Sequence, residues 1–163
     1  MTTKKQTIEI GALAPDFTLP SSDGTAVTLS ALRGKRVVLY FYPKDLTPGC
    51  TVEAHEFSEL AKKFQKTNTL VFGVSADSIA RHEKFIEKEG ITIPLLADEE
   101  KEMLQAYGVW VEKSMYGKKY MGIERSTFVI DAEGKFEQIY HNVKPEGHAV
   151  CVLEDMKGKE ESL

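Results

Sequence analysis

Cysteine is scarce in this 163-residue chain: there are two, Cys50 and Cys151, far apart and in no C-x-x-C pair. That excludes a vicinal dithiol and a cysteine metal cluster, and two residues are too few for a disulfide scaffold. No apolar run approaches the roughly 20 residues that cross a bilayer. The start, Met1-Thr2-Thr3-Lys4-Lys5-Gln6, leads into no apolar signal core. A cytoplasmic protein is the default, with no membrane partner. The formal net charge of −4 gives no electrostatic reason to hold nucleic acid or anionic lipid. There is no G-x-G-x-x-G and no metal-ligand cluster, so no nicotinamide, flavin, haem or metal cofactor is called for. Repeats, low-complexity stretches and linkers are absent too. One domain over 1–163 is expected, with flexible ends at 1–10 and 157–163.

What is present reads as an α/β layered domain. Phe17-Thr18-Leu19 and Val27-Thr28-Leu29 flank Asp23-Gly24 and predict a small hairpin. Ser30 to Gly34 reads as a short helical turn. Val37 to Tyr42 is apolar, β-branched and aromatic, as in a strand covered on both faces of a parallel sheet. Thr47 to about Gln65 reads as a helix, with Thr47 able to cap it and Pro48 suited to its first position. Further along come a strand at Leu70–Val74, a helix at Ile79–Glu89 ended by Gly90, and a strand at Ile93–Ala97. Then follow a helix at Glu99–Tyr107, a hairpin of Thr127–Ile130 with Phe136–Tyr140, and a closing helix from Glu146 to about Met156.

Cys50 stands in the first turn of the helix that follows the first buried strand. The unpaired N–H groups and partial positive charge of a helix start favour a thiolate over a thiol. Ala54, Phe57, Ala61 and Phe64 continue from it at steps of three and four, so Cys50 belongs to the buried face. Ligands in such sheets bind beyond the carboxyl ends of the strands, where Cys50 lies.

A thiolate attacks carbonyls, disulfides, metals or peroxides, and its neighbours discriminate. Acyl transfer needs a histidine base. His55, His82, His141 and His148 read as surface or cap residues, and His55 lies about 140° round the helix from Cys50. Disulfide exchange of the vicinal kind needs a second cysteine two residues away. Peroxide reduction needs a donor for the peroxide oxygens, a fixed cation and apolar shielding. Thr47 supplies a hydroxyl within reach of the sulfur and Pro43 can shield the pocket. Arg125, just before a buried strand, is either a cation for the site or a surface charge.

Pro43-x-x-x-Thr47-x-x-Cys50 resembles the peroxiredoxin active-site motif. The wider run through Thr51, Glu53 and Ala54 resembles the bacterioferritin-comigratory, or peroxiredoxin Q, subgroup. So do Ala14 to Leu19, Gly73-Val74-Ser75, Leu95 to Asp98, Tyr107 to Trp110, Arg125 to Phe128 and Val143 to His148. The similarity spans nearly the whole chain, from Gly11 to Met156. It implies a thioredoxin-like fold, with a central mixed sheet flanked by helices and an N-terminal β-hairpin. It implies a thiol-dependent peroxidase with Cys50 as peroxidatic cysteine, Thr47 holding the peroxide, Pro43 shielding it and Arg125 pairing with the thiolate. Glu53 either orients Arg125 or is a first-turn acid favouring the helix dipole.

The chain departs from the subgroup at position 55. Many members carry a resolving cysteine there, and this one has His55. None stands in the helix at Ile79–Glu89 either, and Cys151 reads as a packing residue of the last helix. The expected cycle therefore uses one cysteine. Hydrogen peroxide or an organic hydroperoxide converts Cys50 to a sulfenic acid, and thioredoxin, glutaredoxin or a small thiol reduces it. Two other readings stand beside it: a thiol-transferase or redox sensor, and a non-catalytic module, against which Thr47, Cys50 and Arg125 together argue. A monomer or weak homodimer is expected.

Overall fold

A computed structural model describes residues 8–161. Five strands form the central sheet in the order β5-β4-β3-β8-β9. These are β3 (Arg36–Phe41), β4 (Thr69–Ser75), β5 (Leu95–Ala97), β8 (Ser126–Ile130) and β9 (Phe136–Tyr140). Strand β3 runs parallel to β4 but antiparallel to β8. The sheet is thus mixed, where the apolar run of β3 by itself suggested parallel pairing. Every residue from Val37 to Phe41 is buried, because helices and loops cover both faces.

Alternation along β3 divides the core. Val37, Leu39 and Phe41 pack on one face with Phe72, Tyr107, Phe128 and Phe136. Val38, Tyr40 and Tyr42 pack on the other with Phe57, Phe64, Phe85 and Val152. That second face carries α1 (Pro48–Lys66), α2 (Ile79–Glu89) and α4 (His148–Glu161), and the first carries α3 (Glu102–Ala106). The N-terminal hairpin, β1 (Thr18–Pro20) with β2 (Ala26–Thr28), forms as expected, and a 3-10 turn follows at Leu29–Leu32. This is the thioredoxin-like architecture that the motifs implied.

Three of the α-helices and β-strands differ from the sequence reading by two residues or more at an end. Helix α3 begins at Glu102 rather than Glu99, after Lys101 in a left-handed conformation at φ 62°. Strand β5 starts at Leu95, two residues beyond Ile93. Helix α4 begins at His148 and continues to Glu161, past Met156. The flexible ends expected at 1–10 and 157–163 lie partly outside the described residues. One element escaped notice altogether: β6 (Trp110–Met115) and β7 (Lys118–Ile123) pair as a separate hairpin. Its turn is Tyr116-Gly117, with φ of 52° and 77°, so a tyrosine stands where asparagine or aspartate would have signalled the turn.

Candidate active site

Antiparallel pairing decides how Arg125 meets Cys50. Ser126, the first residue of β8, stands opposite Phe41, the last of β3. The residue before β8 therefore arrives where the chain leaves β3 and turns toward α1. Arg125 Nη2 donates to Cys50 Sγ at 3.3 Å, and Nη1 donates to Glu53 Oε1 at 2.7 Å. Cys50 is only 2% exposed, within the first turn of α1. The question about Glu53 closes here: it is wholly buried and holds Arg125.

The electrostatics follow from burial. Desolvation pushes Glu53 up to about 7, although the Arg125 charge pulls the other way. Its Oε2 has no hydrogen-bond partner among the described residues. Burial works against the Arg125 charge, but Glu53 and Cys50 more than offset it and hold the guanidinium above its ordinary value. The guanidinium thus brings a fixed positive charge to 3.3 Å from the sulfur.

Thr47 takes the N-cap position of α1, but its side chain caps nothing. Its hydroxyl instead donates to the Lys44 carbonyl at 2.7 Å. With the proton committed there, Oγ1 is left as an acceptor at the helix start. Pro43 and Arg125 line one depression together with Val111, Lys113 and Val143. The missed hairpin thus supplies one wall of the site. Burial, and then the Arg125 charge, hold Lys113 below its ordinary value. Gly122 gives its stem room, since a Cβ there would meet Lys113 Cδ at 3.2 Å.

The histidines split. His55 is half-exposed, with Nε2 3.6 Å from Glu89, and His141 pairs with Glu124 on the surface. His82 and His148 are buried, contrary to the surface or cap reading. Burial, followed by the Arg125 charge, pushes His148 down to about 4, and its Nε2 meets Thr127 Oγ1 at 2.7 Å. His82 joins Asp45 and Asp77 in the one His/Cys/Asp/Glu triad of metal-ligand proximity among the described residues. Its ligand atoms already hydrogen-bond to one another and to nearby donors. Cys151 is exposed rather than packed. Burial and the adjacent Asp155 carboxylate push its thiol up, away from nucleophilic character.

A sulfur hidden from solvent yet paired with a cation, on this sheet, marks thiol chemistry on a thioredoxin-like fold. The AhpC/TSA family pattern matches residues 10–139. Bacillus subtilis peroxiredoxin Bcp is 46% identical over 155 residues, covering 95% of this chain and 99% of that protein. A Helicobacter pylori putative peroxiredoxin bcp is 48% identical over 149 residues, covering 91% and 98%. Among solved structures, the Xanthomonas campestris bacterioferritin comigratory protein, studied for alkyl peroxide reduction, superposes with a TM-score of 0.86 at 42% identity, covering 94% and 98%. A cysteine-to-serine variant of Xylella fastidiosa PrxQ reaches a TM-score of 0.90 at 39% identity, covering 94% and 98%. The chain belongs to the AhpC/TSA family and, within it, to the Bcp or peroxiredoxin Q group of peroxiredoxins.

Proposed function

We propose that this protein is a thiol-dependent peroxidase acting on hydrogen peroxide and organic hydroperoxides through Cys50. The 3.3 Å contact between Arg125 Nη2 and the buried Cys50 sulfur carries the reading. The Cys50 thiolate attacks one peroxide oxygen and the O–O bond breaks. The other oxygen leaves with the electron pair and takes up a proton as water or alcohol, and Cys50 becomes a sulfenic acid. Arg125 stabilises the thiolate and the charge that develops along the S–O–O axis. Thr47 Oγ1, its own proton given to Lys44, accepts from the peroxide O–H. Pro43 shields the pocket without adding an N–H.

An external thiol, from thioredoxin, glutaredoxin or a small molecule, then attacks the sulfenic sulfur and releases water. A second thiol frees Cys50 from the mixed disulfide. His55 in place of a resolving cysteine and the raised Cys151 thiol favour this one-cysteine cycle. A cytoplasmic setting, where reducing thiols abound, suits it. The Arg125 donor at the sulfur and the Thr47 acceptor beside it suit a peroxide O–H, which the disulfide substrate of a thiol-transferase lacks.

Mass spectrometry after one equivalent of hydrogen peroxide tests the cycle. The expected product is one added oxygen at Cys50 in both the wild type and Cys151→Ser. A Cys50–Cys151 disulfide in the wild type would overturn the one-cysteine cycle, and full turnover by Cys50→Ser would overturn the peroxidase reading.

A further inference from the structure

Four hydrogen bonds converge on Asp45, in the loop between β3 and α1, and use every polar atom of that residue. Its N–H donates to Asp77 Oδ2 at 2.8 Å, and its carbonyl accepts from Arg81 Nη2 at 3.1 Å. Oδ1 accepts from the Tyr42 hydroxyl at 2.5 Å, and Oδ2 faces His82 Nδ1 at 2.6 Å. Asp45 and His82 are both 0% exposed. His82 Nε2 lies 2.9 Å from the Leu96 carbonyl. A carbonyl only accepts, so Nε2 carries a proton, and Nδ1 shares another with the Asp45 carboxylate. Burial, then the Asp45 charge, hold the Tyr42 hydroxyl above its ordinary range, which keeps it a donor.

Nothing in the peroxide chemistry uses these groups, yet they anchor the segment that carries it. The next residue, Leu46, is left-handed at φ 65°, a conformation that a branched side chain adopts only when its surroundings impose it. Thr47 and the first turn of α1 follow at once, with Cys50 inside it. A buried aspartate missing one partner would be expensive, so the network has one low-energy arrangement.

We propose that His82 and Asp45 are positioning residues for the Cys50 reaction. His82, braced on β5 through Leu96, fixes Asp45, and Asp45 fixes the loop that places Pro43, Thr47 and Cys50. The proposal rests on the peroxidase reading, deepens it, and assigns function to His82 of α2 and Asp45 of the preceding loop, both outside the peroxide pocket.

Two substitutions separate this role from packing. His82→Asn keeps a donor near the Nδ1 position and loses the one toward Leu96, whereas His82→Gln does the reverse. Both remove the ring. Stopped-flow oxidation of Cys50 by hydrogen peroxide is compared with its alkylation by iodoacetamide in each. The expected loss of oxidation rate in His82→Gln is about tenfold to a hundredfold, the scale that a misplacement of about 1 Å produces. His82→Asn should retain most of the rate, and alkylation should change less than oxidation in either. Equal losses in the two variants, or equal losses of oxidation and alkylation, would overturn the proposal. Should a ring variant not fold, Asp45→Asn preserves side-chain volume and sets an amide N–H₂ against a donor. Slowed oxidation is expected of it, and a wild-type rate would overturn the proposal. A wild type no faster with peroxide than free cysteine would remove the peroxidase reading and this inference together.

Discussion

Arg125 shares its guanidinium between Glu53 and Cys50, and the two halves do different work. The carboxylate fixes the plane of the fork, and the remaining arm points at sulfur. Lysine has one ammonium and no fork, so Arg125→Lys keeps charge but cannot hold both partners in that geometry. We expect Cys50 oxidation by peroxide to slow by about a hundredfold, the scale of losing one oriented donor, in stopped-flow measurements. Glu53 supplies a second residue-level test. Burial raises it from 4.5 to about 7, so the folded chain holds that proton more tightly than the unfolded chain does. Its contribution to stability is full below about 4.5 and is lost as pH rises toward 7. Glu53→Gln has no such titration. Urea midpoints at pH 5 and pH 8 should therefore show the variant gaining on the wild type as pH rises, and a gap independent of pH would refute it. That Cys50, Thr47 and Pro43 would stand close together was legible in the sequence because they are neighbours in the chain. Arg125 became legible only through the family motif, since its partner lies across the sheet. The burial of Glu53, Asp45 and His82 was not legible, because a charged residue is buried only where tertiary partners await it.

At the scale of elements, α1 read correctly because its apolar stripe is periodic and its start is marked by Thr47-Pro48. Its attachment to the sheet depends on a glycine. A Cβ at Gly73 of β4 would come within 2.7 Å of Tyr40 Cζ and 2.8 Å of Leu95 Cδ2. Tyr40 stacks on Phe57 of α1, with ring centroids 4.4 Å apart. Gly73→Ala therefore pushes the ring toward the helix that carries Cys50. A loss of about 1–3 kcal/mol is expected, as for other overpacked cores, with slower peroxide oxidation as well. Chemical denaturation and stopped-flow mixing would check it, and an unchanged midpoint would mean that Tyr40 yields without moving α1. The β6–β7 hairpin was missed for the opposite reason. It stands apart from the main sheet, and Met115, Tyr116, Tyr120 and Met121 are all exposed. Neither alternation nor a turn dipeptide announced it, although Val111 and Lys113 bring it to the depression lined by Pro43 and Arg125.

The proposed cycle sets the whole molecule a conflict that no single residue resolves. Peroxide reduction needs Cys50 enclosed, with Arg125 and the start of α1 in place. Reduction of the sulfenic acid needs a thiol, often that of another protein, to reach a sulfur that is 2% exposed. Among the described residues the sulfur is too deeply covered for a protein thiol to reach it in this conformation. The two half-reactions therefore call on different states, one folded at α1 and one locally open. The opening has a natural limit: the α1 stripe at Phe57 and Phe64 is fully buried, whereas the first turn depends on the loop at Asp45 and on Arg125. Local opening of a few residues costs less than global unfolding and responds to denaturant below the main transition. Urea well below the unfolding midpoint should thus slow oxidation of Cys50 by hydrogen peroxide and speed reduction of the preformed sulfenic acid by reduced thioredoxin. Single-turnover mixing measures each half separately. If both rates fall in parallel as urea is added, the thiol reaches Cys50 in the closed form and the two-state account is wrong.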